Sequence, residues 1–399
     1  MRSFSGCCGR HLSPPGRGFL VAALPALACF ITTCNHYDFL TQEIYEQATY
    51  SNKVDVLFVV DNSGSMQEEQ EALADNFHQF IQNLNSAAEQ ERSFPHETLL
   101  DAVTNYLFFI NNMGRYLNFH LGITTTDLSS TGSRGHLLPP FPEDPGAPLY
   151  LSSTTADVVG AFATALEAAA ANPSTVGVEQ GLGAMRRAIC LSIDDPSFYD
   201  ETVRPDLAVG CGDVSENEVG ANGDFLREGV ALAVIVVTDE GDSSSGQVED
   251  YLEFLDDLDR RYTISSIAPT LPEDETDPTA VCNPEGSPAS TVHRYRDAAD
   301  LTGGLLVPIC DDFAEALDDL GALINYLLIR FRLRYVPSPD TILVFVDGVE
   351  VPESDTNGWV FNPAQNTIEF TGSAVPEYGA RIEVYYHITA ASDPRTLPF

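Results

Sequence analysis

The stretch Val54-Asp55-Val56-Leu57-Phe58-Val59-Val60-Asp61-Asn62-Ser63-Gly64-Ser65-Met66 decides the reading of this chain. A short, β-branched and almost unbroken apolar run suits a strand buried on both faces, as in a parallel sheet. One carboxylate and two hydroxyls follow it at alternate positions. On extended backbone that spacing turns Asp61, Ser63 and Ser65 to the same side. Hard oxygen donors at the carboxyl end of a central strand suit a divalent cation such as magnesium. Open α/β sheets bind their ligands in that same crevice. The competing reading is a polar turn with a helix cap, because Asp, Ser and Gly serve those roles too.

A second segment repeats the theme. Val230 to Val237 is wholly apolar, and Thr238-Asp239-Glu240-Gly241-Asp242 follows directly. This is again a buried apolar run ending in acid, with Asp239 as the candidate donor. Glu240 and Asp242 have three readings: the outer shell of an ion, a second cation, or solvated charge.

Around these runs, helical and extended patterns alternate. Leu73, Phe77, Phe80, Ile81 and Leu84 recur at helical spacing. A second helical stretch covers about 97–112, and Phe119 to Asp127 reads as a strand with a polar end. Helices are expected over about 155–171, from Ser174 through Met185 and Ile189, and over 248–261, 291–302 and 313–331. Strands are expected at 263–268 and 305–309. This alternation predicts an α/β fold with a doubly wound, mainly parallel sheet. After Tyr335 the period changes to two, with strands at 342–348, 359–361, 367–370 and 381–386. That is a small all-β module, with Trp359, Phe361, Tyr378, Tyr385 and Tyr386 as its expected core.

The Asp61-x-Ser63-x-Ser65 loop after a Val-rich strand, with Asp239 after a second one, resembles the metal-ion-dependent adhesion site of the von Willebrand factor A (vWA) family. The resemblance covers roughly residues 53–332 and implies a Rossmann-like fold. It implies a divalent ion, magnesium first and manganese or calcium as alternatives, held by Asp61, Ser63, Ser65, a second-loop Thr and Asp239. Thr175 is assigned the second-loop place, with Ser174 as the alternative, because counting back from Val178 and Leu182 puts the slot at Val176. Such an ion, short of a full anionic shell, captures a carboxylate of a protein partner. A structural envelope protein with a vestigial site and a metal-dependent hydrolase are the competing functions. No Gly-x-Ser-x-Gly elbow or His-x-x-x-His pairing supports the last.

The 399 residues carry a net charge of −39, which argues against nucleic acid as a partner. At the N-terminus, Arg2, Arg10 and Arg17 precede an apolar stretch, Phe19 to Thr33, too short to span a bilayer comfortably. Residues 1–33 resemble a bacterial lipoprotein signal, with Cys34 as the acylated residue and Cys29 as the alternative. Plain secretion without lipid is a further alternative. Residues 34–52 then read as a tether, 53–332 as the vWA-like domain with insertions, and 333–399 as the β-rich module. Four later cysteines, Cys190, Cys211, Cys282 and Cys310, suit disulfides in an exported chain. Sequential pairing is one of three connectivities. These features place the protein outside the cytoplasm, in the cell envelope, anchored to a membrane by lipid.

Overall fold

In the computed structural model, Lys53–Val60 forms strand β2, buried along almost its whole length. Its side chains alternate between two separate cores. Val54, Val56, Phe58 and Val60 enter one, and Leu57 and Val59 enter the other. A strand covered on both faces leaves little room for polar residues, which explains the apolar run that only Asp55 interrupts. The structure describes residues 42–89, 117–174, 178–195, 211–212, 214–215, 217–258, 260–271, 282–328, 330–363, 366–377 and 379–388. All of them lie within one unit, Leu40–Phe399.

The strands are β1 (Gln42–Thr49), β2, β3 (Asn118–Thr125), β4 (Leu151–Ser152), β5 (Ala231–Val237), β6 (Tyr262–Ala268), β7 (Leu306–Pro308), β8 (Arg330–Arg332), β9 (Leu343–Val346), β10 (Val349–Val351), β11 (Gly358–Asn362), β12 (Thr367–Thr371) and β13 (Arg381–Ile388). The helices, among the described residues, are α1 (Gln67–Glu89), α2 (Val158–Ala170), α3 (Gly181–Leu191), α4 (Val248–Asp256), α5 (Ala289–Thr302) and α6 (Phe313–Leu328). The helical stretch expected over 97–112 lies outside the described residues.

The central sheet has six strands in the order β4-β3-β2-β5-β6-β7. Its pairings are parallel, except that β4 runs antiparallel on the edge beside β3. Helices α1, α2 and α6 supply the core on one face, and α3, α4 and α5 the core on the other. On the first face Phe58 meets Phe77, Phe80 and Phe162 edge-on. The fold is therefore α/β and doubly wound. From β2 the chain passes to β3 on one side, then crosses to β5 on the other. The order reverses between β2 and β5, and a crevice opens beyond their carboxyl ends.

Two antiparallel sheets, β1-β13-β9-β10 and β11-β12-β8, share a third core built on Val344, Trp359, Ile368, Phe370, Val384 and Tyr386. Two segments depart from the sequence reading here. Residues 42–49, expected within the tether, are β1, paired residue for residue with β13 from Gln42–Ile388 to Thr49–Arg381. The inward face of β1 carries Ile44, Glu46 and Ala48, so the apolar alternation that announces a strand is broken in its middle. Glu46 is satisfied inside by the Tyr386 hydroxyl and by the Arg334 amide. The helix expected to reach Phe331 stops at Leu328, and Phe331 enters the β-module core from β8. Among the expected core aromatics, Trp359 and Tyr386 are buried. Tyr385 instead packs against Tyr45 and Phe345, and Tyr378 lies outside the described residues.

The cysteines pair sequentially as Cys190–Cys211 and Cys282–Cys310, with Cα separations of 5.6 and 5.9 Å. Among the described residues no helix is long and apolar enough to cross a membrane. Residues 1–33, with Cys29, and Cys34 beyond them lie outside the described residues.

A free tether and a docked strand respond differently to mutation. Ile44→Ala is expected to cost roughly 2 kcal/mol of stability, read as a lowered urea midpoint, through the cavity left in the β-module core. An unchanged midpoint would show that β1 is not docked in solution.

Candidate metal centre

The first loop begins while the chain is still held by the sheet. The Asp61 amide donates to the Val237 carbonyl at 2.8 Å, one residue past the end of β2. That contact sends the Asp61 side chain into the crevice between β2 and β5, where it is fully buried. Its Oδ1 accepts the Ser63 amide at 2.7 Å, and its Oδ2 accepts the Thr238 hydroxyl at 2.6 Å. Gln70 of α1 ties the Asp61 carbonyl from below at 2.6 Å. Buried Met66 anchors the turn into α1. Between these fixed ends, Gly64 and Ser65 are exposed and Ser63 is partly so.

The Ser63 and Ser65 hydroxyls lie 3.0 Å apart, on one side of the loop as the spacing requires. The pair alone is not distinctive. Ser129–Thr131, Ser152–Thr154 and Ser354–Thr356 make the same contact at 3.1, 2.8 and 3.2 Å. The difference lies in the acids behind it. Asp239 follows Thr238 directly after β5, is 2% exposed, and lies near enough to the Ser65 hydroxyl for it to lower the Asp239 pKa. Its Oδ1 has no partner. The loops after β2 and β5, far apart in sequence, thus meet through the Thr238 hydroxyl and the Asp61 carboxylate, with Ser65 and Asp239 close by.

Thr175 lies outside the described residues. The chain on either side of it is nevertheless fixed. The Ser174 amide donates to the Asn62 carbonyl at 2.9 Å, and Asn62 Nδ2 donates to the Asn172 carbonyl at 2.7 Å. Glu179, two positions before α3, lies within electrostatic reach of Asp61. It is fully buried. The Thr126 hydroxyl donates to its Oε2, while its Oε1 has no partner. Its backbone is pinned by the Ser243 amide, which donates to the Glu179 carbonyl at 2.8 Å. Sequence reasoning missed Glu179 because an acid just ahead of a helix is an ordinary surface feature that favours the helix dipole.

Asp242 is not part of this arrangement. It is buried, caps α3 through the Leu182 amide at 3.2 Å, and pairs with Arg294 at 2.8 Å. Glu240 is partly buried beside Asp239, whose charge, after burial itself, raises its pKa.

Electrostatics separates this cluster from the other buried acid of β2. Asp55 has Arg227 at 2.7 Å and Arg260 at 3.9 Å. None of the ion pairs between described residues involves Asp61, Glu179 or Asp239. Burial, unrelieved by a cation, raises the pKa of Asp61. Burial and then the Asp61 charge push Glu179 up to about 8. Burial lifts Asp239 to about 6, opposed by the Ser65 hydroxyl and reinforced by Asp61. Among the described residues no three acidic, His or Cys side chains are gathered closely enough to hold a metal by themselves. Any ion here takes its shell from hydroxyls and water as well as acids. The donor set fits a hard divalent cation: oxygen throughout, two buried carboxylate oxygens without partners, and hydroxyls at the exposed rim.

Fold and site together define a doubly wound α/β domain with an Asp-Ser-Ser loop at its switch point. Similar solved structures include a von Willebrand factor type A protein from Catenulispora acidiphila, with 13% identity and a TM-score of 0.33, covering 88% of this chain and 66% of that one. The pilus adhesin SpaC from Lactobacillus rhamnosus GG has 12% identity and a TM-score of 0.33, covering 87% and 40%. Proximal thread matrix protein 1 from the mussel byssus, with a zinc-occupied MIDAS motif, has 13% identity and a TM-score of 0.34, covering 71% and 48%. The chain thus spans less than two thirds of the length of each of these proteins. No family model and no curated protein matches it. Likenesses this loose leave the strand order and the site geometry to stand on their own.

The raised pKa values fix a pH dependence in the metal-free protein. Below the ordinary Glu value of 4.5 the side chain is neutral in both states and costs nothing. As pH rises, the unfolded chain ionises first, so the folded state loses relative stability until pH passes about 8. In chelator, Glu179→Gln should therefore melt above wild type by a margin that widens from pH 4.5 to pH 8. A margin that stays flat across that window would contradict the burial of an ionisable Glu179.

Proposed function

We propose that this chain is an exported, non-enzymatic binding protein that captures a protein partner through a divalent cation. The single observation that carries the reading is the polarity of the site: unpaired acids buried at the bottom, and the Ser63–Ser65 hydroxyl pair at the exposed rim. Ser63, Ser65, Asp61 and Asp239 would hold the ion, directly or through water. Magnesium keeps several waters when bound by few carboxylates. Those on the rim side are replaceable by a carboxylate from the partner, which gives the contact its chemistry. Specificity then falls to the neighbouring loops, because one wet ionic contact is modest alone. A lipid anchor at Cys34 would hold the chain to a membrane, and the two disulfides support a life outside the cytoplasm.

The chain's own residues do the work of presentation. Thr238 and the Ser63 amide hold Asp61 in place, and the α1 contacts keep the hydroxyl pair at the surface. The cation, when bound, supplies the positive charge that the acids lack.

Millimolar magnesium or manganese is expected to raise the melting temperature, by about 2.7 kcal/mol of added stability at one hundred times Kd. Asp61→Ala should abolish the rise while leaving the protein folded. A folded wild-type protein that shows no shift at millimolar metal would sink the reading. Partner capture should likewise vanish in chelator and in Asp239→Ala. Partner binding indifferent to both would place recognition elsewhere on the molecule.

A further inference from the structure

We infer that Glu179, rather than a hydroxyl, is the second loop's contribution to the cation, acting through a metal-bound water accepted by its Oε1. The inference rests on the cation-binding reading above and assigns a residue that the reading does not contain.

Three observations carry it. Glu179 is fully buried, yet Oε1 has no hydrogen-bond partner. A buried carboxylate oxygen left unmatched is costly, and native structures rarely tolerate one without a ligand or water to fill the place. The other oxygen, Oε2, is held by the Thr126 hydroxyl at the end of β3, and the Glu179 backbone is held by Ser243. The side chain is therefore fixed from both ends close to the Asp61 loop: Thr126, which holds its Oε2, donates its own amide at 3.2 Å to the carbonyl of Val60, the residue before Asp61. Finally, the acids are not drawn to one point. A direct third carboxylate is thereby disfavoured, and an outer contact through water is the arrangement that needs least movement. An outer acid also strengthens the hold on the ion without occupying the rim side, where the partner would bind.

Partners that receive hydrogen bonds from metal-bound groups typically contribute about 10- to 100-fold to metal affinity. The test is calorimetric titration of manganese into wild type, Glu179→Gln, Thr126→Val and Thr175→Ala. Glu179→Gln is expected to weaken manganese at least about 10-fold, Thr126→Val to weaken it less, and Thr175→Ala to leave it within about two-fold. The melting temperature of metal-free Glu179→Gln, expected at or above wild type, shows that the fold survives and separates a binding role from a structural one. Wild-type affinity in Glu179→Gln, or a loss confined to Thr175→Ala, would overturn this assignment and leave the cation reading intact. A wild-type protein that binds no manganese would overturn both.

Discussion

Three buried carboxylates without a counter-cation set the terms for the rest of this molecule. Asp61, Glu179 and Asp239 arrive from three different loops; Asp61 and Glu179 are held by hydroxyls and an amide, and none of the three pairs with Lys or Arg among the described residues. Hydrogen bonds of that kind ease the cost of burying an acid without neutralising it. Asp55, on the strand that Asp61 follows and equally buried, shows how the chain treats an acid meant only for structure: two arginines surround it. The contrast is the physical reason to read the crevice as a place prepared for a cation. The parallel sheet makes the gathering possible. Because β2 and β5 are neighbours in register, the residues that follow them emerge side by side.

The surrounding fold serves that placement. The switch between β2 and β5 opens the crevice, and helices on both faces press the sheet into a fixed platform. Asp242 and Arg294 cap and pin α3, which in turn fixes the backbone just after Glu179. The β module is closed by chain from both ends of the described region. Strand β1 precedes the α/β domain and β13 lies near the end of the chain, yet they pair along eight residues. The α/β domain is thus inserted between the first strand of the β module and its remainder.

What the sequence made legible, and what it hid, follows from burial. The runs Val54–Val60 and Ala231–Val237 announced two-faced strands because nothing polar interrupts their inward faces, Asp55 excepted. Asp61, Ser63, Ser65 and Asp239 were legible because each sits at a fixed offset from such a run. Glu179 was hidden because its burial depends on Thr126 and Ser243, residues distant in the chain. Strand β1 was hidden for a related reason: Glu46 occupies an inward position and is made tolerable only by Tyr386 and Arg334. The boundary at Leu328 escaped the helical period because Phe331 continues the apolar spacing while serving another core. In each case the deciding contact was long-range, and local periodicity cannot carry that information.

The central claim is that one divalent ion is shared by the loops following β2 and β5. Anomalous scattering from crystals grown with manganese tests it most directly. The account predicts a single manganese peak at coordination distance, roughly 2.2 Å, from the Ser63 and Ser65 hydroxyl oxygens, with Asp239 beside it. Crystals that show manganese bound elsewhere on the molecule, or none in this crevice at millimolar metal, would contradict it.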